Sequence, residues 1–287
     1  MFRTDSLATL YFFHPVARSI PRTRVRIPIL MYHSVSEKDS LGVHPYYRTA
    51  TTPGVFARHM QFLYEKGFTP IGVGDALKCM TAPTRTIARP VVITFDDGYL
   101  NFYTNAFPIL RRFGFTATMY LPTAYIGGEK QRFKGLRCMT WGHIRELQRS
   151  GIEFGGHTVT HPSLRGLPQE QIERELVDSK SQIEDEIQHP VKSFAYPYAF
   201  PEADRPFRQM LRTFLERSGY EHGVSTILGT ADSSDDPFFM RRLPVNSCDD
   251  INLLRAKLEG GYDWLHGLQY LRKALRVRLP GPLVGML

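Results

Sequence analysis

Residues 90–99 read PVVITFDDGY. Six apolar or β-branched residues, Pro90 to Phe95, run without a break into two adjacent carboxylates, Asp96 and Asp97, and then into Gly98. A strand with no polar alternation is covered on both faces, which belongs to a parallel sheet rather than to an antiparallel one with a wet side. Polar chemistry starts where the strand stops.

Working outward, the same grammar recurs. Upstream, residues 27–35 (IPILMYHSV) read as a buried strand, and residues 53–67 as a helix with Phe56, Met60 and Leu63 on one face and Gly67 as its stop. Downstream, residues 100–113 carry Tyr103, Phe107 and Leu110 at helical spacing, with Pro108 expected to bend the helix. Strands follow at 117–121, 152–156, 191–196, 223–227 and 239–245. Between them lie helical patterns at 140–150, N-capped by Thr140, at 168–188 with Ile172, Leu176, Ile183 and Ile187 inward, and at 205–218. Trp264, Leu268, Leu271 and Leu275 mark a terminal helix. Apolar strands alternating with amphipathic helices define an α/β fold, and their number predicts a (β/α) barrel of seven or eight strands. In such a barrel the reactive groups stand where strands end and loops begin.

Composition bounds the partners. The chain has 287 residues, of which 42% are hydrophobic and 22% charged, ordinary for a globular domain. Its formal charge is +8. Much of the excess sits at the ends, in Arg3, Arg18, Arg22, Arg24 and Arg26 and again in Arg272, Lys273, Arg276 and Arg278. No nucleic-acid motif accompanies it, so nucleic acid is excluded as a partner. Cys79, Cys138 and Cys248 are scattered and form neither a disulfide framework nor a cysteine metal cage. No apolar run spans a bilayer and no signal peptide is evident, which points to a cytoplasmic or peripheral-membrane protein. Residues 1–26 read as a basic lead-in of poor pattern, 27–250 as the catalytic domain, and 251–287 as a terminal helix and tail docked on it. The basic, partly apolar tail also offers a peripheral membrane contact. The oligomeric state is not encoded in any pattern.

Four segments at strand ends carry chemistry. Asp96 and Asp97 place like charges side by side, which a metal ion or a proton relieves, and Gly98 allows the tight turn that points both into one cavity. Taken alone, either aspartate would equally serve as a helix cap. His157 and His161 are four apart after another strand and meet one metal if the segment turns helically. Two histidines and one carboxylate leave positions open for water and substrate. Residues 194–199 (FAYPYA) hold a proline-constrained turn that presents a backbone N–H to a pocket. His33, in residues 31–35 (MYHSV), stands at the end of the first strand, where an imidazole protonates a leaving group. His143, His189, His222 and His266 lie outside these segments and read as packing or surface residues.

In this order and combination, the motifs resemble the polysaccharide deacetylase family (carbohydrate esterase family 4, the NodB-homology domain), most closely its biofilm poly-N-acetylglucosamine branch. The likeness covers residues 27–245. It implies a distorted, NodB-like (β/α) barrel and the removal of acetyl groups from N-acetylated sugars, with release of acetate. It further implies Asp96 as general base, Asp97, His157 and His161 as ligands of a divalent metal, Tyr198 as backbone donor to the oxyanion, and His33 as general acid. Zinc is the first choice of metal, with cobalt, nickel, iron or manganese also suited. A carbohydrate O-acetyl esterase on the same metal site is the alternative activity. The chain departs from the family in three places: Ala195 stands where many members have arginine, Ala199 where they have glycine, and Val245 where a late histidine would fall. Arg241 or Arg242 is expected to replace the missing arginine and orient the base.

Overall fold

A computed structural model describes residues 3–21, 24–37, 43–82, 87–128 and 131–278. Seven parallel strands close into a barrel: β1 (Ile29–Tyr32), β2 (Pro90–Phe95), β3 (Thr118–Leu121), β4 (Glu153–Gly156), β5 (Ser193–Ala195), β6 (His222–Leu228) and β7 (Met240–Pro244). Each pairs with the next in sequence, and β7 returns to β1, which also pairs with β2. Thr69–Pro70 adds an eighth, two-residue strand to the outside of β2. The uniform burial of all six β2 residues follows from this closure: one face fills the barrel and the other meets helices.

The helices form where the sequence places them, with local reasons. Thr52 caps the Pro53–Glu65 helix, whose Phe56, Met60 and Leu63 are buried. Thr140 caps Trp141–Arg149 in a capping box completed by His143, which accounts for that histidine. Gln169–Ile187 buries Ile172, Leu176, Ile183 and Ile187.

Three segments show detail that the sequence pattern did not carry. At Pro108 the helix changes type. The chain widens into a π-helical stretch over Phe102–Ala106, and Pro108 falls in the first turn of Phe107–Arg112, where its missing N–H is harmless. The basic lead-in has regular structure over most of its length. It is helical from Thr4 to Ser19 and tied to the end of the chain: Tyr262 donates to Asp5 at 2.7 Å, Trp264 donates to Thr9 at 3.0 Å, and the Phe13 and Trp264 rings stack at 4.3 Å. These contacts are long-range, so no local periodicity announces them.

The terminal Leu265–Arg278 helix buries Leu265 at its start in the core. Gln269 faces the barrel, donating to the Thr226 carbonyl and accepting from the Leu228 N–H, while Leu268 and Leu271 are exposed. A further helix, Ile251–Leu258, precedes it. Residues 279–287, to which a membrane contact is ascribed above, lie outside the described residues.

Candidate metal centre

All the singled-out segments open onto the same end of the barrel. Asp96 and Asp97 follow β2, His157 and His161 follow β4, Tyr198 follows β5, and His33 follows β1. The turn after β2 depends on Gly98. Its φ is +63°, and a Cβ there would fall 2.7 Å from the Ile126 side chain. Asp97 itself adopts φ +75°.

Among the described residues, Asp97, His157 and His161 form the group whose donor atoms converge, all within 4.8 Å of one another and all buried. Asp97 Oδ1 lies 3.4 Å from His161 Nε2 and 3.8 Å from His157 Nε2. That oxygen has no hydrogen-bond partner, although it is buried. An orphaned buried carboxylate oxygen facing two imidazole nitrogens is what a divalent cation would satisfy, so the residues fit a metal. His157 Nδ1 is 2.7 Å from the Ala195 carbonyl, which assigns the proton to Nδ1 and leaves the Nε2 lone pair free. Burial lowers the His157 pKa to about 4, against the pull of Asp96, so the ring stays neutral as a ligand must.

Asp97 Oδ2 is occupied differently. It accepts from the Tyr99 hydroxyl at 2.9 Å and lies 3.5 Å from the Lys134 ammonium. Burial would push this carboxyl up, but His161, His33 and Lys134 together hold it well below the usual range.

The neighbouring Asp96 is gripped by an arginine. Arg242, fully buried in β7, donates Nη1 to Oδ1 at 2.7 Å and Nη2 to Oδ2 at 2.8 Å. Its Nε is anchored on the Ser225 carbonyl, and Nη1 also reaches the Thr94 hydroxyl. Arg241 points to the other face of the strand and pairs with Asp235 at 3.0 Å. The alternation of a β-strand thus separates two arginines that sequence left equivalent. Burial raises the Asp96 pKa, but Arg242, with His157 and His33, outweighs it and keeps the carboxyl below the ordinary range. His33 Nε2 stands 3.9 Å from Asp96 Oδ2. Burial lowers its pKa, opposed by the two aspartates.

Tyr198 sits at φ +58° with its side chain half-exposed and its ring edge-on to His161 at 4.6 Å. Its carbonyl accepts from the Thr226 hydroxyl, which pins the peptide after the Pro197 turn. Ala195 gives the site its carbonyl rather than a side chain. Val245 is buried, with its N–H on the Met31 carbonyl.

Three contributors escaped the sequence reading. Glu175, buried in the Gln169–Ile187 helix, accepts from the Val159 N–H at 2.7 Å, the Thr160 N–H at 2.9 Å and the Thr160 hydroxyl at 2.6 Å. It clamps the turn between the two histidines, in which Thr158 and His161 both have positive φ. Lys134 comes from a hairpin, Arg132–Phe133 with Leu136–Arg137, whose Lys-Gly turn has φ of +48° and +80°. A lysine followed by glycine between short flanks was the available signal. Tyr99 closes the PVVITFDDGY stretch, where nothing local points its hydroxyl back to Asp97.

Comparison with known proteins agrees with this geometry. The polysaccharide deacetylase family profile matches residues 84–214. The YxkH protein of Bacillus subtilis (strain 168), named for a polysaccharide deacetylase, is 29% identical over 221 residues, covering 77% of this chain and 72% of that one. The poly-beta-1,6-N-acetyl-D-glucosamine N-deacetylase of Escherichia coli (strain K12) is 31% identical over 34% of this chain, a stretch that makes up only 16% of the enzyme. Among solved structures, the Streptococcus pyogenes deacetylase PplD superposes with a TM-score of 0.70 at 22% identity, over 82% of this chain and 99% of that one. A closed seven-stranded parallel barrel, a buried Asp-His-His group at its mouth and the matched segment, a little under half of the chain, make this chain similar to the polysaccharide deacetylase family.

Proposed function

We propose that this chain is a metal-dependent hydrolase that removes acetyl groups from N-acetylated sugars, as a polymer, an oligosaccharide or a precursor, and releases acetate. The observation that carries the reading is the convergence of Asp97, His157 and His161 beside an Asp96 held ionised by Arg242. The named activity of the poly-N-acetylglucosamine relatives supports the choice of an N-acetyl group over an ester.

When bound by Asp97, His157 and His161, a divalent cation, zinc by base rate, supplies Lewis acidity that lowers the pKa of water and draws charge from a carbonyl. The protein does the rest. Asp96 takes the proton of the attacking water, and the two Arg242 bonds fix the direction in which its lone pairs point. The Tyr198 backbone N–H donates to the oxygen that becomes negative as the carbonyl turns tetrahedral. His33 gives its proton to the departing nitrogen, because an amide nitrogen leaves poorly unless protonated.

Acetate release from N-acetylglucosamine oligomers, with metal removed and then restored, tests this reading. Release that depends on metal and disappears in Asp96→Asn supports it. Release from acetyl esters alone, with His33→Ala retaining full rate, transfers the site to an O-acetyl esterase. An enzyme that never binds a divalent metal ends both readings.

A further inference from the structure

We propose that the helical segment 4–19 and the Leu265–Arg278 helix together form a docking face for an anionic lipid bilayer, separate from the metal centre. Along the N-terminal segment, Asp5, Thr9 and Phe13 recur every fourth residue and face inward, onto Tyr262 and Trp264. The same segment exposes Tyr11 at 71%, Phe12 at 69%, Val16 at 56% and, just past its end, Ile20 at 59%. From the other chain end, Leu268 and Leu271 are half or more exposed, and the Phe13–Trp264 stack joins the two elements.

A water-facing helix normally turns polar residues outward, so large aromatic and aliphatic side chains there need a partner that is neither water nor the barrel. Charge selects the partner. Residues 264–278 contain no acid, and residues 3–21 contain only Asp5, which Arg3 and Tyr262 occupy. Arg18 and Arg272 are exposed in the same elements, Arg18 with its Nε 3.7 Å from Glu259. An apolar stripe with flanking arginines and no free carboxylate of its own matches an anionic membrane surface. A second copy of the chain fits less well, because two such faces would set arginines against arginines. No helix among the described residues is long and apolar enough to cross a membrane, which leaves lying on the surface as the mode.

The experiment is vesicle flotation of the full chain, with phosphatidylcholine alone and with phosphatidylglycerol added. The chain should float with the anionic vesicles, far less with the neutral ones, and less again as salt is raised. The double substitution Tyr11→Ser with Phe12→Ser, both on the water-facing side, should leave Tm and metal affinity unchanged and weaken partitioning about tenfold or more. Failure of the wild-type chain to float with anionic vesicles, or equal flotation by the double variant, overturns the proposal. So does sedimentation showing a dimer that the double variant converts to monomer, since the face would then belong to a second copy. None of these outcomes depends on whether acetate is the product of the metal centre.

Discussion

Two carboxylates in this barrel are buried against buried cations, Asp96 against Arg242 and Asp249 against Lys257, yet they are completed differently. Asp249 is closed on every side. Oδ1 takes Lys257 and Arg3, Oδ2 takes Lys257 and the Asn246 N–H, and the backbone carbonyl takes His59. It ties the N-terminal segment, the loop after β7 and the Ile251–Leu258 helix into one corner. Asp96 has its two bonds from Arg242, but beside it stand His33 at 3.9 Å and Asp97, whose Oδ1 has no partner at all. A polar network that is internally complete holds a fold; one left open toward a cavity waits for something to bind. The cation differs too. Arginine grips both oxygens of Asp96 and fixes an orientation, whereas the lysine ammonium centres a charge without aiming it.

The comparison can be broken by exchanging what the two sites lose. The largest effect is expected at Asp96→Asn. It should lower kcat by about 10²–10⁴, the range for removing a general base, with little change in metal affinity measured by calorimetry. A variant that keeps its rate would place the base elsewhere. Asp249→Asn should do the reverse, lowering stability by about 3–5 kcal/mol in denaturant titration, because Lys257 is left buried without its carboxylate. The rate per folded molecule should be untouched; a lost rate with intact stability would make that corner part of the catalytic apparatus.

Glu175→Ala sharpens the line between holding a fold and holding a ligand. Outer partners of metal ligands are worth about 10–100-fold in affinity, and a loss of that size is expected here by metal titration. Glu175→Gln should recover much of it, since its amide oxygen can accept both N–H groups that Oε2 takes while its amide nitrogen donates to the Thr160 hydroxyl, leaving only the negative charge lost. Unchanged metal affinity in both variants would reduce the clamp to ordinary packing.

The smallest effects are in pH. Burial pushes the Asp96 carboxyl up and Arg242 holds it down, so in Arg242→Ala the acid limb of kcat/KM should move to higher pH. For Asp249 the folded pKa is depressed below its unfolded value: burial raises it, and Lys257 with Arg3 more than reverses that. Its stabilisation is therefore complete above the ordinary aspartate pKa and fades as pH falls through the folded value. The Tm difference between wild type and Asp249→Asn should close on acidification; a gap that stays constant would mean the pair contributes through shape alone.

Local pattern alone determined the strand–helix repeat, the barrel class it belongs to and the paired motifs Asp96-Asp97 and His157/His161, while the choice of Asp97 as ligand came from the family resemblance. These signals live within a few residues: an unbroken apolar run, a carboxylate pair beside glycine, two histidines four apart. Tertiary structure decided the rest, because the deciding contacts join residues that sequence separates widely. Arg242 meets Asp96 across 146 positions, and only the facing of β7 selects it over Arg241. Glu175 reaches the histidine turn from a helix whose pattern announced nothing but packing. The two chain ends, each an unremarkable basic stretch when read alone, become one apolar and basic face only because Phe13 stacks on Trp264. Adjacent residues are constrained by the chain, and distant ones are constrained only by what the fold brings within hydrogen-bond or van der Waals reach.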